Sequence, residues 1–287
     1  MPELINPGPS RKGWHRLQNV LKCPRYYALS SFSKGQPSTA VPSDPLIKGS
    51  LLHMGLAHHY ALVRKDQDHW KDRDEGKEYY SPHDAVNLLV ADQPPEHQAA
   101  WQEWVPLVHR VLDAYIMHWA HEQSQVYYIE KEVQANIFDE ERNESYFYTQ
   151  RVDAVFRHPK TGKWWFVDHK TTLRIMEKTM RKYTLSGQFL GYQMLGQELF
   201  GDDWGGVFLN MIGWPQKGKA PEFERKVLPS APFALSRFKN TLVHAERVIR
   251  EHKDLDAMEW PGAHHETACW TTYGPCKYFE QCRLGGA

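Results

Sequence analysis

Apolar residues recur at helical spacing through roughly the first 120 residues and then change to strand-like runs. From Trp14 to about Leu29 the helical spacing is interrupted at Cys23-Pro24, so one helix ends there and another begins with proline in its first turn. Ser33 to Pro45 reads as loop. Leu46 to Val63 carries Leu52, Leu56, His59, Tyr60 and Val63 at helical intervals and predicts a helix that includes His53. Lys65 to Ser81 is dense in charge and predicts a solvated insertion. Pro95 to Gln123 sets Trp101, Trp104, Val105, Val108, Val111, Leu112, Tyr115 and Trp119 in the pattern of one long amphipathic helix.

Strands follow over Val126 to Phe138, Tyr146 to Arg157 and Lys163 to His169. A helix from about Thr184 to Phe200, strands near Gly206 to Trp214 and Phe223 to Leu228, and a helix from Ala234 to Glu259 complete the regular structure. This order predicts one α/β domain with a mixed central sheet flanked by helices. Its parts are a mobile tail over residues 1–13, a helical part over 14–124, a core sheet over 125–230, and a C-terminal helix with a cysteine-rich end over 231–287.

At 287 residues the chain is long enough to bury a substantial core. It holds 35 Lys plus Arg against 35 Asp plus Glu, so any site for a polyanion must be a local patch. No run of 18 apolar residues predicts a membrane span, and Met1 to Gly13 lacks the apolar centre of a secretory signal. The expectation is an intracellular, cytoplasmic protein without membrane partners. In that compartment the four cysteines, Cys23, Cys269, Cys276 and Cys282, favour a metal or redox site over two disulfides.

The most informative stretch is Tyr148 to Thr172. His158 to Lys163 holds turn residues between two apolar runs and predicts a hairpin with Pro159 to Gly162 as its loop. If His158 opposes Lys163, the same register sets Asp153 opposite Asp168. Alternation puts Lys170 on the face of Asp168, so two carboxylates and a lysine come together between strands that are apolar on both sides. Opposed residues are about 5 Å apart at Cβ, where two carboxylates repel by roughly 3 kcal/mol at an effective dielectric near 20. Lys170 alone could offset this in a buried ion-pair cluster. A hard divalent cation such as Mg²⁺ or Mn²⁺ would offset it and leave the lysine free for chemistry.

The pair Asp153 and Asp168-His169-Lys170 resembles the signature of the PD-(D/E)XK nuclease superfamily, an aspartate followed after a hairpin by D/E-x-K. Gly49 to His53 resembles the G-x-x-x-H helix of the RecB-like branch, and Gln188 to Tyr192 resembles its Q-x-x-x-Y motif. One departure is Gln150, where the branch often has glycine. The resemblance implies a restriction-endonuclease-like core in which His53, Asp153, Asp168 and the backbone carbonyl of His169 hold Mg²⁺ or Mn²⁺. It implies catalysis by Asp153, Asp168 and Lys170, with Lys170 orienting or deprotonating the attacking water or stabilising charge on the phosphate. Gln188 and Tyr192, four residues apart on one helix face, could contact a phosphate or base of DNA, and Tyr192 could equally be a core residue. One of Glu130 and Glu132 would assist the metal through water.

The basic run Leu173 to Lys182 offers Arg174, Lys178 and Arg181 as phosphate contacts, or as a solvated helix face. One cysteine before the core and three behind it resemble the iron–sulfur staple of AddB-type and CRISPR adaptation nucleases, which implies a [4Fe–4S] cluster; zinc is the competing occupant. The expected activity is a metal-dependent exonuclease on single-stranded DNA ends. The alternative is a catalytically weak nucleic-acid-binding subunit of a recombination or CRISPR integration complex. The chain has no G-x-x-x-x-G-K-[ST] motif, so any helicase or recombinase motor would be a separate partner.

Overall fold

The computed structural model describes every residue except 1, 3, 6, 33–40, 71, 72, 74, 218, 272, 273, 286 and 287. The helical part comprises α1 (Trp14–Lys22), α2 (Pro24–Phe32), α3 (Asp44–Lys65), α4 (Pro82–Ala91), α5 (Pro95–Gln102) and α6 (Val105–His118). The core continues with β1 (Gln125–Asp139), β2 (Glu144–Arg157), β3 (Trp164–Thr172), α7 (Glu177–Thr184), α8 (Gly187–Phe200), β4 (Trp204–Gly213) and β5 (Glu222–Val227). The chain ends with α9 (Pro232–His252), α10 (Glu266–Cys269), a small ribbon of β6 (Trp270–Thr271) and β7 (Gly274–Pro275), and α11 (Phe279–Leu284).

Five strands form one mixed sheet in the order β1-β2-β3-β4-β5. Among the described residues only β3 and β4 run parallel, and α7 and α8 supply the crossover that a parallel pair needs. Helices cover both faces. Phe166, Val207 and Leu209 pack with Phe189, Tyr192 and Leu195 of α8 and with Leu242 of α9 on one side. Ala154, Phe156, Val167 and Ile212 pack with α3 and α6 on the other. Strands buried on both faces read as near-continuous apolar runs, which is why the strand expectations fall within a few residues of the observed ends.

The predicted hairpin register holds through Ala154↔Val167, Val155↔Phe166, Phe156↔Trp165 and Arg157↔Trp164. Its turn closes with the His158 N–H donating to the Lys163 carbonyl at 2.9 Å. Gly162 takes the left-handed conformation the loop requires, φ 69°.

Three expectations are corrected. The long helix over Pro95 to Gln123 is two helices, because Pro106 supplies no N–H and its ring clashes with the carbonyl four residues back; the break falls at Glu103 and Trp104. The Lys65 to Ser81 insertion is not simply solvated. Trp70 is buried against Tyr127 and Tyr128, Arg64 and Arg73 cover its ring, and the Gln67 side chain bonds both Ser124 and Val126 at the start of β1. The tail is docked. Ser10 is buried with its hydroxyl on the Thr149 carbonyl, the Lys12 N–H donates to the Thr149 hydroxyl, and the Ile5 N–H donates to His58 Nε2. The loop expected over Ser33 to Pro45 falls mostly outside the described residues. Among the described residues no helix is long and apolar enough to cross a membrane.

Candidate metal centre

A cavity of about 690 Å³ opens at the C-terminal end of β3, between α3 on one side and the start of α8 on the other. Gly49, Ser50 and His53 of α3 line it, as do Glu130, Arg151, Asp153, Asp168, Lys170, Gln188 and Tyr192, and Pro7 to Ser10 of the docked tail form part of its wall.

The strand pair carries the key geometry. Beyond Ala154↔Val167 the β2–β3 ladder stops, and the Asp153 carboxylate takes the place of a ladder acceptor: the His169 N–H donates to Asp153 Oδ2 at 2.6 Å. The same oxygen lies 3.4 Å from His53 Nδ1. On the other flank Glu130 drops out of the β1–β2 pairing between Ile129↔Ala154 and Lys131↔Val152, without a change of register, and adopts the left-handed conformation, φ 47°. A bulky residue held there inside a strand is strained, and such strain is found where the surroundings over-determine it.

The ligand atoms of His53, Glu130 and Asp153 all lie within 4.8 Å of one another. This triad could hold a metal ion, and it decides between the two glutamates. Glu130 faces the cavity, whereas Glu132 accepts the Arg11 N–H. In a regular strand the two would share a face, so the left-handed residue is what separates them.

Charge in the cavity is unbalanced. Burial, then Asp153 and Asp168, push the Glu130 carboxyl up to about 9, with Arg151 pulling the other way. Burial also raises Asp153, against the pull of His53. Lys170 Nζ lies 2.5 Å from Asp168 Oδ2; burial pulls the ammonium pKa down, but Asp168 and Asp153 outweigh it and leave it above its ordinary value. Hard oxygen donors with one imidazole and a surplus of buried carboxylate suit Mg²⁺ or Mn²⁺.

Asp168 lies outside the close triad. Its Oδ1 accepts from Gln188 Nε2 at 3.0 Å and lies 3.1 Å from the Tyr192 hydroxyl, which itself lies 2.8 Å from the Arg151 carbonyl. Gln188 and Tyr192, expected to face DNA, thus hold Asp168. Gln150, the departure from the branch's glycine, donates to the Tyr148 hydroxyl, and both pack against Gly191. A Cβ on Gly191 would come 2.3 Å from that hydroxyl, so the bulk at 150 is matched by its loss at 191.

The imidazole of His169 points away from the cavity. It lies flat on Tyr60 and its Nδ1 is 2.7 Å from Asn210 Nδ2, which leaves only the backbone carbonyl as a conceivable ligand. Arg174, Lys178 and Arg181 are exposed on or beside α7 and do not line the cavity, and Arg181 pairs with Glu177.

The four cysteines form no disulfide. Among the described residues no three of their sulfurs come within 4.8 Å of one another, so a closed four-thiolate site is not assembled in this conformation. The chain ends nevertheless meet. The Tyr26 N–H points to Cys23 Sγ at 3.4 Å, the Tyr26 ring lies against Tyr278, and the Cys276 N–H donates to the Cys269 carbonyl.

No protein-family model matches the chain, and no curated protein matches it by sequence. Among solved structures, the crystal structure of SSO0001 is 13% identical over 80% of this chain and 84% of that one, with a TM-score of 0.32. A likeness so loose assigns no activity.

Proposed function

We propose that the chain is a metal-dependent deoxyribonuclease of the PD-(D/E)XK kind, RecB-like, hydrolysing phosphodiester bonds at single-stranded DNA ends. The observation that carries the reading is the convergence of His53, Glu130 and Asp153 within 4.8 Å beside the Asp168–Lys170 pair, in an open cavity. When bound, Mg²⁺ or Mn²⁺ would polarise the scissile phosphate and lower the pKa of a water. His53, Glu130 and Asp153 would hold it, with Asp168 supplying a further carboxylate. Gln188 and Tyr192 orient Asp168. Lys170, kept as an ammonium by its carboxylate neighbours, is suited to stabilise negative charge developing on the phosphate. Trp14 and Tyr183 line the cavity with rings packed on Phe238 and Phe189, so the preference for single strands rests on the resemblance rather than on free stacking surfaces.

We propose that the four cysteines hold a [4Fe–4S] cluster that ties the chain ends together, which requires their sulfurs, not gathered in this conformation, to converge when it binds. All four thiols are unpaired, the segments bearing them already touch, and the N–H bond to Cys23 is of the kind that tunes cluster sulfurs.

Labelled single- and double-stranded DNA with free or blocked ends, incubated with Mn²⁺, Mg²⁺ or EDTA, tests the nuclease. Release of nucleotides from free single-stranded ends with metal, lost in Asp153→Ala and Lys170→Ala, is expected. DNA binding without release would make the chain a binding subunit instead. Anaerobically purified protein should be brown with broad visible absorption; colourless protein with stoichiometric zinc would reassign the cysteines.

A further inference from the structure

We propose that Asn210, Tyr115 and Arg225, none of which lines the cavity, are positioning residues that set the metal-holding groups through the side chain of His169. The inference rests on the nuclease reading and deepens it. Alternation along β3 sends Asp168 and Lys170 to the α8 side and His169 to the side of α3 and α6. The His169 main chain still belongs to the site, because its N–H holds Asp153.

The imidazole is gripped from three directions. Its face lies on Tyr60, centroids 5.6 Å apart and planes 8° from parallel. Asn210, its register partner on β4, reaches Nδ1 at 2.7 Å, and the His53 ring stands edge-on at 6.0 Å. The Asn210 amide is itself oriented. Arg225 Nε donates to Asn210 Oδ1 at 3.4 Å, which leaves the amide NH₂ to donate to His169 Nδ1 and to the Tyr115 hydroxyl, also at 2.7 Å. An amide NH₂ only donates, so His169 accepts at Nδ1 and carries its proton on Nε2. Arg225 pairs with Glu122, donates to Tyr60 and lies over Trp119. The Tyr60 and Tyr115 hydroxyls are 2.6 Å apart.

The network therefore fastens α3, which carries His53, to β3, which carries Asp168 and Lys170. A shift of either element opens the 3.4 Å contact between His53 and Asp153. Displacements of about 1 Å at a reacting centre cost roughly 10²-fold.

The test compares wild type, Asn210→Leu and Tyr115→Phe by Mn²⁺ affinity from electron paramagnetic resonance, by kcat and KM on single-stranded DNA, and by thermal unfolding. Folded Asn210→Leu should bind Mn²⁺ about 10- to 100-fold more weakly and lose kcat with KM little changed. Tyr115→Phe, which removes one oxygen, should lose several-fold in both. Folded variants with wild-type Mn²⁺ affinity and kcat overturn the proposal. So does an Asn210→Leu that fails to fold beside a Tyr115→Phe with wild-type affinity, which would leave the network a purely structural role. Wild-type protein that neither binds Mn²⁺ nor cuts DNA overturns the nuclease reading itself, and this proposal with it.

Discussion

Toward the C-terminal end of β3 both faces of an otherwise apolar strand carry buried polar groups, and they differ in whether the protein satisfies them. On the α3 and α6 face, His169, Asn210, Tyr60, Tyr115, Arg225 and Glu122 answer one another, with Arg225 positive against Glu122 negative. On the α8 face and across the cavity, Glu130, Asp153 and Asp168 crowd together beside Lys170, and Glu130 is driven up to about 9. Folding alone gives no reason to assemble that surplus of carboxylate. A closed network orients; an open one with excess charge of one sign awaits a ligand of the other.

Breaking the closed side should have the largest effect. Arg225→Met leaves Glu122 without its cation, and removing one partner of a buried pair costs about 3–5 kcal/mol. Chemical denaturation measures it, and a loss below 1 kcal/mol would mean that the pair is effectively solvated. The equivalent cut on the open side acts first on rate. Lys170→Ala should lower kcat roughly 10²- to 10³-fold; because it also leaves the buried Asp168 carboxylate without its cation, the metal-free variant should lose stability as well, a loss that bound Mn²⁺ offsets.

Glu130→Gln sharpens the contrast by reversing the sign. The Glu130 carboxyl is raised from 4.5 to about 9, so between those pH values the metal-free native state holds a proton that the unfolded chain releases. Stability is therefore full below about 4.5 and declines as pH rises through the window. By pH 7 the accumulated cost is of the order of 3–4 kcal/mol. The glutamine variant should be more stable than wild type by up to that amount at pH 7 and should have a flatter pH profile. It should also lose most of the stabilisation that Mn²⁺ gives wild type, which is about 2.7 kcal/mol at 100 times Kd. A variant less stable than wild type at every pH would remove the argument for stored charge.

These two faces were unequally legible in the sequence. The hairpin could be read because a turn and two apolar runs fix a register by local spacing, and the observed pairs keep it from Ala154↔Val167 outward. His53 and the Gln188 to Tyr192 pair could be found only as motifs, and what Gln188 and Tyr192 touch needed coordinates. Glu130 could not be told from Glu132, because a single left-handed residue inverts the face and nothing in its side chain announces it. The helix break before Pro106 is legible in the proline itself, although the strong apolar period runs straight across it. The His169 network lay beyond reach, since residues 60, 115, 122, 210 and 225 meet only through the β3–β4 parallel crossover and the docking of α3 and α6.

The smallest expected effect asks how far the open side extends. Arg174, Lys178 and Arg181 stand on the rim rather than in the cavity, beside Tyr183 and Ser186, which do line it. Arg181 and Glu177 are both more than 70% exposed, so their pair contributes no more than a few tenths of a kcal/mol and Arg181→Ala should leave stability unchanged. If DNA leaves the cavity across α7, each lost phosphate contact lowers the slope of log affinity against log salt by about 0.7 for a single strand. Arg174→Ala, Lys178→Ala and Arg181→Ala together should then raise KM several-fold, lower that slope by about 2, and leave kcat alone. An unchanged slope would confine the DNA path to the cavity and return α7 to a solvated helix face.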